Sequence, residues 1–163
     1  MDNGLQFKTL LVPTDGSTTS TAAGKLAIDV AAIFGSRLIF MYVVDESVIE
    51  ELARSSQQTS LEASHELRLS GQRYLDYLAA LAEQHNIVAE TVLRQGTPHL
   101  EIVKVCREQQ VDLIVMGYVG RRGPRRILIG SVTERVIEYA QCPILIAKGE
   151  AVLLKGGRIH GKA

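Results

Sequence analysis

Five short apolar runs alternate with longer stretches whose apolar residues recur every three to four positions. Residues 8–13, KTLLVP, form the first run and end in turn chemistry, TDGS. The others are residues 37–44 (RLIFMYVV), 87–93 (IVAETVL), 112–116 (DLIVM) and 143–147 (PILIA). Runs of this length, bounded by turn-forming residues, predict buried strands. Their nearly continuous apolar character suits a parallel sheet covered on both faces.

The intervening stretches carry helical spacing. From Ser20 onward, Ala23, Leu26, Ala27, Val30, Ala31 and Phe34 share one face, and Gly35 supplies a stop. Residues 45–60 are polar, with a faint stripe at Val48, Ile49, Leu52 and Ala53, and read as a connection holding one short helix. A longer helix is expected from about Leu61, with Leu67, Tyr74, Leu75, Leu78, Leu81 and Ala82 inward. Gln95-Gly96 then turns. Thr97 suits an N-cap, Pro98 suits the first helical position, and Ile102, Val103 and Cys106 face inward. Ser131-Val132-Thr133-Glu134 matches a capping box and opens a helix over residues 131–140. Residues 149–163 lack a period, and a short extension at 151–154 is the most they suggest. Strand and helix alternate, with a closing strand. That order predicts an α/β protein: an open five-stranded parallel sheet with right-handed crossovers and helices on both faces. One domain over residues 1–148 and a C-terminal tail over 149–163 are expected.

Composition narrows the function. At 163 residues, 46% hydrophobic and 22% charged, the chain suits one globular domain with a real core. Lys+Arg and Asp+Glu both number 18, so the formal charge is zero. That balance argues against broad contact with a nucleic-acid backbone, though a local basic site stays open. No run of about 18 apolar residues predicts a membrane span. The start, MDNGLQFK, lacks the pattern of a signal peptide. The two cysteines, Cys106 and Cys142, are far apart in sequence and form no C-x-x-C pair. Their spacing argues against a disulfide framework or a cysteine zinc site and points to a reducing cytoplasm. The four histidines, His65, His85, His99 and His160, are scattered, and no catalytic constellation stands out.

In open parallel sheets ligands sit at the carboxyl ends of strands, where connections diverge to opposite faces. Those ends here are Pro13-Thr14-Asp15-Gly16, Val43-Val44-Asp45, Gln95-Gly96 and the long segment after Met116. That segment, MGYVGRRGPRRILIGSV, is rich in glycine and arginine and runs into a helix start at Ser131. A helix start offers unpaired N–H groups and a positive dipole end to an anion. Gly130 removes the Cβ where a phosphate would approach, and the Ser131 hydroxyl can donate. Gly117 and Gly120 would allow positive φ and close approach. A solvated basic loop with Ser131 as a plain cap is the alternative. Neither a Walker nor a dinucleotide glycine pattern is present.

The full arrangement is more specific. Gly117-x2-Gly120-x9-Gly130-Ser131, placed after the fourth strand, closely resembles the nucleotide-binding signature of the universal stress protein family. Leu11-Val12-Pro13-Thr14-Asp15-Gly16-Ser17 is similar to the family's opening, and Tyr42-Val43-Val44-Asp45 to its second-strand end. Gly130-Ser131-Val132-Thr133-Glu134-Arg135-Val136 and Cys142-Pro143-Ile144-Leu145-Ile146 resemble its last helix start and last strand. The resemblance covers residues 7–148. It implies a Rossmann-like three-layer sandwich of the adenine nucleotide alpha hydrolase type, with the first strand central. It also implies ATP binding. Carried over by position, Val43 meets the adenine. Asp15 lies near adenine and ribose on the turn begun by Pro13 and Thr14. Met116 and Gly117 line the ribose side, and Gly120, Gly130, Ser131 and Val132 contact phosphates. Arg121 is a further candidate phosphate contact. Tyr118-Val119 departs from the family pattern, and the sequence leaves open whether Tyr118 crowds the pocket or stacks elsewhere.

Three readings follow. The first is a cytoplasmic, ATP-binding regulator of a stress response, with binding and slow hydrolysis at most. Magnesium would be held by the phosphates and one carboxylate such as Asp15. The second is an ATPase or nucleotidyl-transfer enzyme using the same pocket. The third is a nucleotide-free dimeric interaction module. The resemblance implies a homodimer through the last strand, from Pro143 to Ala147. An apolar edge there would need covering, by a second copy or by the tail. A membrane partner is not expected, and the short arginine cluster without aromatic neighbours argues against nucleic acid.

Overall fold

The structure, a computed structural model, describes residues 4–119 and 129–149. Five strands form one all-parallel sheet. They are β1 (Thr9–Pro13), β2 (Arg37–Asp45), β3 (Ala89–Gly96), β4 (Leu113–Gly117) and β5 (Ile144–Ala147). Their order is β3-β2-β1-β4-β5, so the first strand is central. The helices are α1 (Thr18–Phe34), α2 (Glu46–Ser55), α3 (Ser60–Glu83), α4 (Pro98–Glu108) and α5 (Ser131–Tyr139). The chain steps outward from β1 to β3, then returns to build β4 and β5 on the other side of β1. With right-handed crossovers, reversing the direction puts the later helices on the opposite face. Accordingly α1, α2 and α3 cover one face, and α4 and α5 the other.

The strand pleat sorts the core. Leu10, Val12, Leu38, Phe40 and Val115 point to the α1/α3 side. Leu11, Ile39, Met41, Ile114 and Met116 point to the α4/α5 side. All of β1 from Leu10 onward is buried, which explains why its sequence does not alternate. Asp112 braces the start of β1 against β4, accepting from the amides of Lys8 (3.0 Å) and Thr9 (3.2 Å).

Several boundaries differ from the periodic reading. α1 starts at Thr18, because Ser17 caps it by accepting from the Ser20 amide at 3.1 Å. Gly35 stops it in the left-handed region, φ 65°. The polar connection holds a ten-residue helix, α2, capped by Asp45. The third strand spans Ala89–Gly96 and excludes Ile87 and Val88. The Ile87 amide donates to the Ala82 carbonyl (3.0 Å), closing α3 rather than joining a ladder, and Val88 is 90% exposed. Thr97 stands at the N-cap of α4, but its side chain makes no capping bond. The capping box expected at Ser131 is absent: Gly130 is the N-cap of α5, and Ser131 is already helical and exposed. The extension at 151–154 lies outside the described residues.

A capping box does occur, at α3. Glu62 accepts from the Thr59 amide and hydroxyl, both at 2.8 Å, and its own amide donates to Thr59 Oγ1 at 3.2 Å. The bond from the Thr59 amide, then that from its hydroxyl, holds the Glu62 carboxyl below its ordinary value. A lowered folded pKa gives stability that is present above the unfolded value and lost as pH falls through the folded one. Thr59→Ala is therefore expected to lower Tm by about 2–4 °C at pH 7. The gap from wild type should narrow below about pH 4 in circular-dichroism melts. An equal gap at pH 7 and pH 3 would show that the carboxylate is not involved.

No helix among the described residues is long and apolar enough to cross a membrane. Among the same residues, β5 pairs with β4 alone, and Leu145 on it is 36% exposed.

Candidate functional site

β1 and β4 are the neighbours at which the strand order reverses. Helices leave toward opposite faces there, so a cleft opens at the carboxyl ends of these strands. A cavity of about 620 Å³ occupies it. Pro13, Thr14 and Asp15 line it from the end of β1, Val43 from β2, and Met116 and Gly117 from β4. Gly130, Ser131 and Val132 close it from the α5 end. Nine of the residues expected from the sequence therefore meet in one cavity. The other two, Gly120 and Arg121, lie outside the described residues, as do the remaining arginines of that segment.

The turn after β1 is built by local bonds. The Thr14 amide extends the ladder to the Met41 carbonyl (2.8 Å), and Thr14 Oγ1 accepts from the Gly16 amide at 3.2 Å. Thr14 Oγ1 and Ser20 Oγ are 3.0 Å apart and buried, joining β1 to α1. Asp15 Oδ1 accepts from the Ser17 amide at 3.0 Å, an Asx-type turn that leaves the carboxylate at the cavity wall. Gly16 has φ 78°, and a Cβ there would lie 2.2 Å from the Tyr74 ring. The Asp-Gly pair thus serves a strand-to-helix turn packed on α3, not a hairpin.

Gly117 has a different role from the one its sequence context suggests. It is not among the positive-φ glycines. A Cβ on it would lie 2.8 Å from the Ser20 amide nitrogen, the Thr19 carbonyl carbon and Thr19 Oγ1. The end of β4 therefore runs directly against the first turn of α1. The Gly117 carbonyl accepts from the buried Thr133 hydroxyl at 3.0 Å, and the Tyr118 carbonyl accepts from the Gly130 amide at 2.9 Å. These two bonds pin the start of the long segment to its end and aim the α5 N-terminus into the cavity. Thr19 Oγ1 adds a bond to the Val119 carbonyl. Among the described residues no side chain caps α5. That leaves its first-turn amides directed at the cavity, where an anion would complete them.

Tyr118 is not part of the cavity wall. Its ring sits under Lys148, whose Nζ is 5.6 Å from the centroid, while Val119 takes the wall position. Several lining residues were not singled out as contacts from the sequence: Ser17, Ser20, Ser47, Ile102 and Thr133, while Asp45 was read only as part of a ligand-facing strand end. Ser17 carried a readable signal, a polar residue just before a helix. Ser20, Ile102 and Thr133 did not, because their approach depends on how helices pack. Among the described residues, no group of three or more His, Cys, Asp or Glu comes together to hold a metal ion.

Sheet order, helix placement and a switch-point cleft define a doubly wound α/β protein of Rossmann-like type. The universal stress protein family model matches residues 6–148. The chain belongs to that family. Universal stress protein MJ0531 of Methanocaldococcus jannaschii is 39% identical over 142 residues, covering 87% of this chain and 82% of that protein. The solved structure of MJ0577, a universal stress protein of the same organism, aligns with a TM-score of 0.77 at 29% identity. It covers 88% of this chain and 96% of that one. A universal stress protein solved in complex with cAMP has a TM-score of 0.58 at 23% identity, covering 88% and 98%. At that identity the likeness is one of fold.

Proposed function

We propose that this chain binds ATP in the switch-point cleft and works as a nucleotide-dependent regulator in a cytoplasmic stress response. The observation that carries this reading is the meeting of three features in one cavity. They are the Asp15 carboxylate, Gly117 at the end of β4 and the side-chain-uncapped start of α5. The half-buried Val43 offers an apolar side to the adenine. Asp15 accepts from ribose hydroxyls or an amino group, Met116 and Gly117 flank the sugar, and the amides of Gly130, Ser131 and Val132 donate to phosphate. Gly120 and Arg121 are proposed to add phosphate contacts. Magnesium would take phosphate and water oxygens plus one carboxylate, with Asp15 the candidate. A nucleotide spanning from Asp15 at its sugar to Ser131 at its phosphates would tie the β1–α1 turn to α5. Through that tie nucleotide state would alter the surface offered to a protein partner.

Calorimetric titration with ATP at physiological magnesium tests the binding step. One saturable site per chain is expected, with weaker binding of GTP. Absence of saturable binding would overturn the proposal.

The family resemblance and the exposed β5 edge also support a homodimer, two β5 strands pairing across a two-fold axis. Light scattering is expected to give twice the 17.8 kDa chain mass. Leu145→Asp, which places a charge on that edge, should give the single-chain mass. A wild-type mass of one chain would remove the dimer while leaving ATP binding intact.

A further inference from the structure

Cys106 and Cys142 are 36 positions apart, yet their sulfurs lie 3.4 Å from each other. Both are free thiols. Cys106 is buried near the C-terminal end of α4, and Cys142 is half-buried in the turn between α5 and β5. Val105, Val111, Val136, Ala140 and Ile144 belong to the same apolar cluster as the pair. We propose that Cys106 and Cys142 form a reversible intrachain disulfide in response to hydroperoxide, stapling α4 to the entrance of β5. The separation is already close to van der Waals contact. An S–S bond is about 2.05 Å, so closure needs roughly 1.4 Å of approach.

The two sulfurs are not equivalent. Either sulfur can donate across the contact, and Cys106 Sγ also lies 3.9 Å from the Val111 carbonyl. The contact with Cys106 lowers Cys142 to about 7 against burial, helped by its own and the Ile114 backbone amides. The same contact and burial push Cys106 up, with Arg107 opposing weakly. Asp112, from the β4 side, acts on Cys142 in the raising direction. Cys142, half-buried where Cys106 is buried, is the sulfur that peroxide reaches first and so the attacking thiolate, with Cys106 as the resolving partner.

The chemistry balances with peroxide as oxidant. The Cys142 thiolate attacks one peroxide oxygen. An S–O bond forms, the O–O bond breaks, and the leaving hydroxide takes a proton to become water, leaving a sulfenic acid. The Cys106 sulfur, losing its proton, then attacks the Cys142 sulfur. The S–S bond forms, the S–O bond breaks and a second water leaves. Two thiols lose two electrons in all, and the peroxide gains them. Transient, redox-responsive disulfides of this kind fit a reducing compartment.

The chain has no other cysteine, so thiol counting is unambiguous. Purified protein treated with stoichiometric hydrogen peroxide should lose both titratable thiols and about 2 Da, and run as a single chain on a non-reducing gel. Dithiothreitol should restore both thiols. Closing a loop of this length should raise Tm by roughly 5–10 °C. The rate should level off above about pH 8 and fall about tenfold per unit well below pH 7, as the thiolate is lost. Cys106→Ala removes the contact. Its Cys142 should stop at a dimedone-trappable sulfenic acid, with the pH midpoint moved up toward about 8.5. Oxidation of wild-type Cys142 to sulfinic or sulfonic acid with Cys106 still reduced would overturn the proposal. So would a disulfide linking two chains.

Discussion

Gly130→Glu is expected to weaken ATP binding at least about a hundredfold, to the limit of calorimetric detection, without unfolding the protein. The two halves of this expectation have separate causes. Gly130 lies at φ −69° and ψ 150°, extended backbone that any L-residue adopts, and its amide bond to Tyr118 survives the change. Its Cβ, by contrast, would be introduced at the entrance of α5, on the cavity wall. A carboxylate there opposes each phosphate charge by about 4 kcal/mol at 4 Å for an effective dielectric of 20. Two phosphate charges, each opposed at about half that strength after screening, together give about 4 kcal/mol, above the roughly 2.7 kcal/mol of a hundredfold change. The variant would also bring its own anion to the first-turn amides of α5. Ser131→Ala is the comparison: it removes an exposed hydroxyl and leaves those amides in place, so a several-fold loss is expected. If Gly130→Glu bound ATP as tightly as wild type, the phosphates would not lie at α5.

Gly117→Val is expected to lower Tm by about 5–10 °C. The reason is contact rather than backbone conformation, since Gly117 is not in the left-handed region. A Cβ at Gly117 would press on the main chain of Thr19 and Ser20 at 2.8 Å, and a main chain does not rotate away. Forced overpacking of this sort costs about 1–3 kcal/mol. For a domain of this size that corresponds to roughly 2–4 °C per kcal/mol. The displacement would also disturb the carbonyl that Thr133 donates to, and with it the aim of α5. Binding and stability should thus fail together in Gly117→Val but separate in Gly130→Glu. Differential scanning calorimetry decides the first point, and an unchanged Tm would show that α1 yields at no cost.

The contrast between these two glycines shows what a sequence can carry. Both belong to one spaced pattern, and both line the cavity. The physical job of each is nonlocal. Gly117 is glycine because α1, a hundred positions earlier in the chain, lies against it. Gly130 is an N-cap with no capping side chain, where the sequence suggested Ser131 as the cap. The Thr59–Glu62 box went unread for the opposite reason: it sits in a polar stretch whose helical stripe is faint.

By itself the sequence determined the alternation of five strands with helices, the parallel sheet, and the turns that carry Asp15, Val43 and Gly130, whereas the central place of β1 was implied only by the family resemblance. The first three follow from periodicity, turn residues and crossover handedness, each readable within a few neighbouring positions. Tertiary structure alone decided that Thr133 clamps the Gly117 carbonyl, that Tyr118 turns out toward Lys148, and that Cys106 meets Cys142. Such contacts join distant parts of the chain. They arise only when helices are laid on particular faces of the sheet, and no local pattern records which side chains then touch.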